Sequence, residues 1–380
     1  MPRRKKKNKN KKVLLVLLVV IFILLLAGFV TYNVSPAFSK YVDGIIEKYF
    51  NTNKEDNKGN VEGNLSIHFL ELGNKYTGDC IYIKAGDTDI LVDAGSRTSS
   101  STTIKNYLSS YVTDNKLEYV IVTHADQDHI SGFVGSNAAP GIFATYECEN
   151  IIDFNLTNKD TTKTTSLIGK YITKRNEEVS AGANHYTALD CYSNTNGGKR
   201  KYTLSDGIEL EILYNYFYDH KSADENNYSV CFMINQGDSH FLFTGDLEKE
   251  GEEHLVEYNT LPEVELFKAG HHGSKTSSND VLLEVIKPKI VCVCCCAGSD
   301  EYTKVNDNMF PTQAFVSRIS KYTDKVYVTS LATDNELGYT SMNGNIIVTS
   351  TKEGINVNCS NNNTILKIPF GSKKIVNGNK

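Results

Sequence analysis

Two imidazoles and two carboxylates stand within six residues, at His124-Ala-Asp126-Gln-Asp128-His129. They follow Leu117–Val122, an apolar run of the kind a buried strand makes. A loop at a strand end can turn all four side chains toward one point, and this donor mix suits a first-row divalent metal. The competing reading is a surface charge cluster, but charge alone would not follow a buried strand with two histidines. A second string, Phe243-Thr-Gly-Asp246, also closes a strand-like run, and alone it reads as a turn. A third, Gly270-His271-His272-Gly273-Ser274, follows Val264–Lys268. Its glycines let backbone and imidazole approach a shared centre closely. All three lie where strand-end loops build sites.

The elements that must position these strings can be read from periodicity. Strands are expected at Ser66–Leu72, Cys80–Lys84, Asp89–Val92, Leu117–Val122, Glu209–Tyr214, Ser229–Asn235, His240–Thr244, Val264–Lys268, Lys289–Cys296, Lys325–Thr329 and Ile346–Ser350. Helices are expected at Thr102–Tyr111, Leu247–Tyr258, Asn279–Ile286 and Thr312–Tyr322. Strands in runs with helices between them imply two sheets with helices outside, a layered α/β architecture. The polar stretch Thr157–Lys201 reads as loops or an insertion. The nine cysteines are scattered, apart from four in Val291–Ala297, and the odd total argues against a disulfide framework. In that run they read as small apolar filler of a core strand, with Cys292, Cys294 and Cys296 on one face.

The 380-residue chain carries 40 Lys+Arg against 45 Asp+Glu, a net charge of −5. Eight of the basic residues crowd into positions 3–12, so the remainder holds 32 basic against 45 acidic residues, a net −13. That excludes a basic nucleic-acid-coating protein. With 40% hydrophobic and 22% charged residues, wholesale disorder is excluded too. The basic tail 1–12 is followed by the uncharged run Val13–Val30, long enough at 1.5 Å per residue for roughly 27 Å of bilayer. Segment 13–31 is therefore expected to be a single-pass signal-anchor, with lipid as its partner. The tail would then stay cytoplasmic and the rest lie outside the cell, or be secreted if the segment is cleaved. Residues 32–64 read as a juxtamembrane helical stripe and polar linker, 65–358 as the main domain and 359–380 as a tail.

Together the three strings resemble the metallo-β-lactamase fold, in the branch found as the C-terminal domain of ComEC-type DNA-uptake proteins. The resemblance covers roughly residues 65–350. It includes Phe69–Gly73 with Gly78-Asp-Cys, Leu91-Val-Asp93-Ala-Gly, His124–Gly132 as an HxDxDH variant, Asn227-Tyr-Ser229, Phe243–Asp246 and Lys268–Ser277. It implies a four-layer αββα sandwich binding two divalent ions, zinc or, given the oxygen-rich first site, manganese. By the resemblance, His124 and Asp126 would hold the first ion, and Asp128 and His129 the second. Asp246 would bridge them and His271 would complete the second site. His272 would swap with His271 or donate a proton. Asp93 would support the loop, and Asn227 or Ser229 would stand near the position of a ligand histidine that this branch often lacks. His185 and His220 are the only other histidines in that interval, and neither clearly follows a strand. Ser274 and Lys275 could contact a phosphate near the helix at Asn279. The branch's late Gly-His-Pro is replaced by Met309-Phe310-Pro311, which puts a substrate-contacting histidine in doubt.

These assignments imply a metal-dependent hydrolase in which a metal-bound hydroxide attacks a phosphate ester, with Asp128 and His272 as catalytic groups. The expected substrate is a phosphodiester, nucleic acid included. Lys268, Lys275, Lys287 and Lys289 offer a local basic patch despite the overall charge. The alternatives are a cell-envelope phosphoesterase acting on teichoic-acid-like or phosphocholine-bearing polymers, and a non-catalytic metal- or DNA-binding module. Asp126 and the Gly-His-His-Gly-Ser string disfavour lactam hydrolysis, and one apolar span is too little for a DNA translocase. Nothing in the sequence points to a protein partner.

Overall fold

Alternation of β-branched and aromatic residues at Leu65–Phe69, Ile81–Ala85 and Thr88–Val92 makes an antiparallel meander, with Ile67 opposite Ile83 and Ile83 opposite Ile90. The computed structural model describes residues 54–55 and 63–366, and the fold lies in the unit Glu55–Lys380. The basic tail, the apolar run 13–31 and nearly all of 32–64 lie outside the described residues, as does the tail beyond 366. Among the described residues no helix is long and apolar enough to cross a membrane.

Within residues 63–366 one sheet orders Gly354–Cys359, Ile346–Thr351, Leu65–Phe69, Ile81–Ala85, Thr88–Val92, Lys116–Ile121, Glu147–Asp153 and Asn184–Thr187. The other orders Tyr339–Ser341, Val326–Ala332, Ile290–Ala297, Leu266–Lys268, Ser239–Phe243, Phe232–Gln236, Ile208–Ile212 and Lys201–Ser205. Each sheet has a parallel half, from Thr88–Val92 to Asn184–Thr187 in the first and from Ser239–Phe243 to Val326–Ala332 in the second. Parallel strands require crossovers, so their carboxyl ends lie along one edge of each sheet. The three ligand-bearing strings all leave such ends.

The strand Ile290–Ala297 shows how the layers are held. All eight of its residues are buried. Cys292 and Cys294 join an apolar cluster that takes side chains from both sheets, whereas Val291, Val293 and Cys295 face a second cluster. That second cluster is completed by Leu255, Leu282, Leu283, Ile286, Phe315 and Ile319, from the helices Lys249–Tyr258, Asp280–Ile286 and Gln313–Ile319. The helices Ser100–Leu108, Gln127–Val134 and Leu167–Ala181 bury Ile104, Ile130, Phe133 and Tyr171 in the first cluster. The layers are helices, sheet, sheet, helices. All nine cysteines are free thiols and eight are buried, as filler would be. Alternation persists to the strand's end, with Ala297 joining Val291, Val293 and Cys295 in the second cluster, while buried Cys296 falls in neither cluster, beyond a shift in the pairing register with Val326–Ala332.

The stretch Thr157–Lys201, expected as loops or an insertion, is in part regular structure. It contains Leu167–Ala181, the strand Asn184–Thr187 and the helix Ala188–Ser193. Ordered structure also continues past 358, since Leu366 is buried and donates its N–H to Val326 O.

Candidate metal centre

Asp93 sets the first imidazole. It follows Thr88–Val92 in a left-handed conformation (φ 55°) and is fully buried. Its carboxylate accepts from Thr123 N at 2.8 Å, Thr123 Oγ1 at 2.8 Å and His129 Nδ1 at 2.7 Å. With Nδ1 engaged, His129 turns Nε2 toward Asp246 Oδ2, 3.2 Å away. His272 is held by the same logic: Nδ1 donates to Cys294 O at 2.8 Å, and Nε2 stands 3.2 Å from both Asp128 Oδ2 and Asp246 Oδ2. One donor atom each from Asp128, His129, Asp246 and His272 lies within 4.8 Å of the others. Histidines backed at Nδ1 with Nε2 presented to carboxylates are arranged as metal-binding histidines are.

His124 and Asp126 adjoin this cluster. The His124 ring is fully buried, with its centroid 4.1 Å from that of His129. Its Nε2 lies 3.6 Å from Asp126 Oδ2 and has no hydrogen-bond partner. A buried ring nitrogen without a partner is costly, and it would gain one in a divalent cation. The donor set therefore fits divalent metal. Asp126 Oδ1 meets Lys159 Nζ at 2.5 Å, an ammonium on the rim.

The second sheet delivers Asp246 through Gly245 at φ 55°. A Cβ at Gly245 would lie 2.8 Å from Ser229 Oγ, which accepts from Asp246 N at 3.0 Å. Ser229 thus holds the backbone of Asp246, and Asn227 Oδ1 holds that of Glu248 at 3.2 Å. His271 and His272 are consecutive residues at positive φ, 44° and 51°. This pair of conformations sends their rings to different sides. His272 enters the cluster, while His271 Nδ1 faces Glu248 Oε1 at 3.2 Å. Ser274 Oγ pairs with Thr276 Oγ1 and Lys275 Nζ donates to Asn308 Oδ1. The backbone donors at Ser278 and Asn279 already serve the Glu252 carboxylate. His185 binds Asp153 at 2.8 Å, beside Arg175, and exposed His220 stacks on Tyr216 at 3.8 Å. The structure does not bring either histidine to the cluster.

Burial alone would raise the pKa of Asp246, but His272, His129 and Lys268 outweigh it and hold the carboxyl well below its usual range. Asp128 is lowered against its burial by His129 and His272. Asp126, opposed by burial but favoured by His124 and Lys159, falls to about 2. Burial would also keep His129 and His272 neutral, yet the surrounding carboxylates hold both well above the usual imidazole value. Crowded carboxylates thus draw positive charge onto the rings. A divalent cation supplies that charge directly and displaces the ring protons.

Three side chains at this centre escaped sequence reasoning. Lys268 reads as part of a surface basic patch, but it is 1% exposed and its ammonium lies against Asp79, with Asp246 Oδ1 at 3.3 Å. Its place at the end of an apolar strand was the available signal. Lys287 and Lys289 pair with Glu263 and Glu265 and lend no free cation. Asp79 stands in the quoted Gly-Asp-Cys, with no role read from it. Tyr302 gave no signal, since it lies in a polar segment. Its hydroxyl donates to Asp128 Oδ2 at 2.7 Å, and its ring stacks on His272 with an interplanar angle of 13°.

Two facing sheets carry acidic and imidazole donors at their carboxyl edges. Residues 73–135 and 222–297 match the model of the metallo-beta-lactamase superfamily, and the chain carries such a domain. Among proteins of known name it is similar to competence protein ComA of Neisseria gonorrhoeae, 25% identical over 67% of this chain and 30% of that one. It is 38% identical to ComE operon protein 3 of Bacillus subtilis (strain 168) over 18% of this chain and 9% of that one. The chain thus matches less than a third of the length of either relative. A metallo-β-lactamase of Cronobacter sakazakii is 12% identical over 50% of this chain and 71% of that one, with a TM-score of 0.30.

Proposed function

We propose that the domain is a phosphodiesterase or nuclease that works through two divalent ions. The observation that carries this reading is the convergence of Asp128, His129, Asp246 and His272, with each imidazole backed at Nδ1. In this assignment His124 and Asp126 would hold one ion, Asp128, His129 and His272 the other, and Asp246 would be available to both. When bound, the ions neutralise charge on phosphoryl oxygens and make a water acidic enough to react at neutral pH. Acidic ligands in place of a further histidine make the first site harder and more oxygen-rich, which suits manganese as well as zinc. Tyr302 is 46% exposed and hydrogen-bonded to Asp128, so it stands on the solvent side of the cluster and presents a hydroxyl to whatever reaches it. Lys159 presents an ammonium beside Asp126. Relatives named for competence support a nucleic-acid substrate. The reading that the domain is anchored facing outward rests on residues 3–30 of the sequence.

The test is turnover of bis(p-nitrophenyl) phosphate, single-stranded DNA and choline-phosphate esters with Zn²⁺ or Mn²⁺, beside the metal content of D128A and D246A. Both variants are expected to lose metal and at least 100-fold in rate, roughly the loss when a main charge-stabilising group is removed. A metal-free, fully active double variant would sink the proposal. Turnover of the choline-phosphate esters alone would move the substrate class to envelope polymers.

A further inference from the structure

Beneath the centre lies an ion pair with no part in the ligand set. Asp79 and Lys268 are each 1% exposed; Asp79 lies just before Ile81–Ala85 of the first sheet, and Lys268 ends Leu266–Lys268 of the second. The Lys268 ammonium touches Asp79, donates to Gly245 O at 3.1 Å and lies 3.3 Å from Asp246 Oδ1. On the other side, Asp79 Oδ1 lies 3.2 Å from His272 Nδ1. The proton of that nitrogen is directed at Cys294 O, so Asp79 Oδ1 remains buried without a hydrogen bond of its own. Asp79 N donates to Asp128 O at 3.1 Å. Gly78, at φ 65°, permits that approach, since a Cβ there would lie 2.1 Å from Asp128 O. The pair therefore reaches Asp246, His272 and Asp128 together.

Resting on the metal-hydrolase reading, we propose that the Asp79–Lys268 pair is a positioning device for the metal centre. Lys268 holds Asp246 by Oδ1, so that Oδ2 alone faces His129 and His272, and Asp79 backs the His272 ring and the Asp128 backbone. A purely structural role explains the pair poorly. Buried ion pairs are often no more stabilising than apolar residues of like volume, so stability alone gives little reason to keep one here. Groups behind metal ligands, by contrast, change affinity about 10- to 100-fold when removed. Lys268 also adds a fixed positive charge next to a crowd of carboxylates, with a geometry that a mobile ion would not keep.

The experiment uses the full chain and cobalt(II) alone, followed by its d–d absorption, with thermal unfolding as the control for folding. The charge-neutral double variant D79N/K268M removes both charges and leaves neither ion unpaired. It is expected to fold, to bind cobalt about 10- to 100-fold more weakly, and to give an altered spectrum. Lys268→Arg keeps the charge but moves its donors, so it is expected to fold and still shift the spectrum. Wild-type affinity and spectrum in either folded variant would overturn the inference while leaving the metal centre intact. No cobalt binding by the wild-type chain would overturn the metal reading and the inference with it.

Discussion

At His271 and His272 one residue separates two environments. His272 Nε2 faces two carboxylates, whereas His271 lies beside Glu248 and Thr276 with its ring centroid 6.0 Å from that of His272. Replacing each by Ala therefore distinguishes them. H272A is expected to lose the second ion, with affinity at that site down at least 10-fold, while H271A retains both ions. Metal content by elemental analysis after gel filtration checks this, and equal retention by both variants contradicts the assignment. The string Gly270–Ser274 announced two imidazoles near a metal, but their division depends on φ at two successive residues, which spacing does not encode. Asp128 and His129 were legible because acids and imidazoles rarely follow buried strands without a partner, whereas Asp93 and Asp246 stood out only through the resemblance to the metallo-β-lactamase fold. Lys268 was misread for the converse reason: a lysine is ordinarily exposed, and only its tertiary partners reveal a buried one.

Among the elements, the helix Asp280–Ile286 starts on a buried acid. Glu252, from Lys249–Tyr258, accepts from Ser278 N at 2.5 Å, Asn279 N at 2.9 Å and Asn279 Nδ2 at 2.8 Å. Burial lifts its pKa from 4.5 to about 7, although these donors favour the ionised form. The folded state therefore holds this proton more tightly than the unfolded chain. The contribution is fully present below pH 4.5 and is lost as pH rises through about 7. Its size is on the order of 3 kcal/mol, each pKa unit being worth about 1.4 kcal/mol. Glu252→Gln mimics the protonated acid, so the difference in unfolding free energy between wild type and E252Q should vary across that window. Urea titrations from pH 4.5 to 8 measure it, and a difference that stays constant contradicts the idea. Each strand and helix expected from the sequence was found to within a few residues, although Gln127–Val134, Glu147–Asp153 and Gly354–Cys359 were not anticipated. Nor was Leu167–Ala181, because it buries only Ile168, Gly169 and Tyr171. Its ends carried the signal instead: Ser166 accepts from Gly169 N, and Gly182 closes the helix at φ 124°.

At the scale of the molecule, the centre joins the two sheets at an edge where other polar links cross as well, Val230 N to Thr123 O and Asn158 N to Glu225 Oε2 among them. His124 and Asp126 lie in the loop after Lys116–Ile121 of the first sheet and Asp128 and His129 in the first turn of the helix Gln127–Val134 that follows, whereas Asp246 and His272 follow strands of the second. Without cations, the carboxylates of both edges depend on protonated rings and Lys268 for compensation. Bound ions should therefore act as a clamp as well as a reaction centre. A ligand that binds only the folded state at 100 times its Kd adds about 2.7 kcal/mol, or roughly 5 °C in Tm for a domain of this size. Chelation is accordingly expected to lower Tm by about that amount, and stoichiometric Zn²⁺ or Mn²⁺ to restore it. The D128A/D246A variant supplies the control, because its carboxylates no longer bridge the sheets and its Tm should not respond to chelator. Calorimetry of the wild type and this variant, each with and without chelator, reads both effects. Equal shifts in the two would place the stabilising ions elsewhere and detach the clamp from the centre.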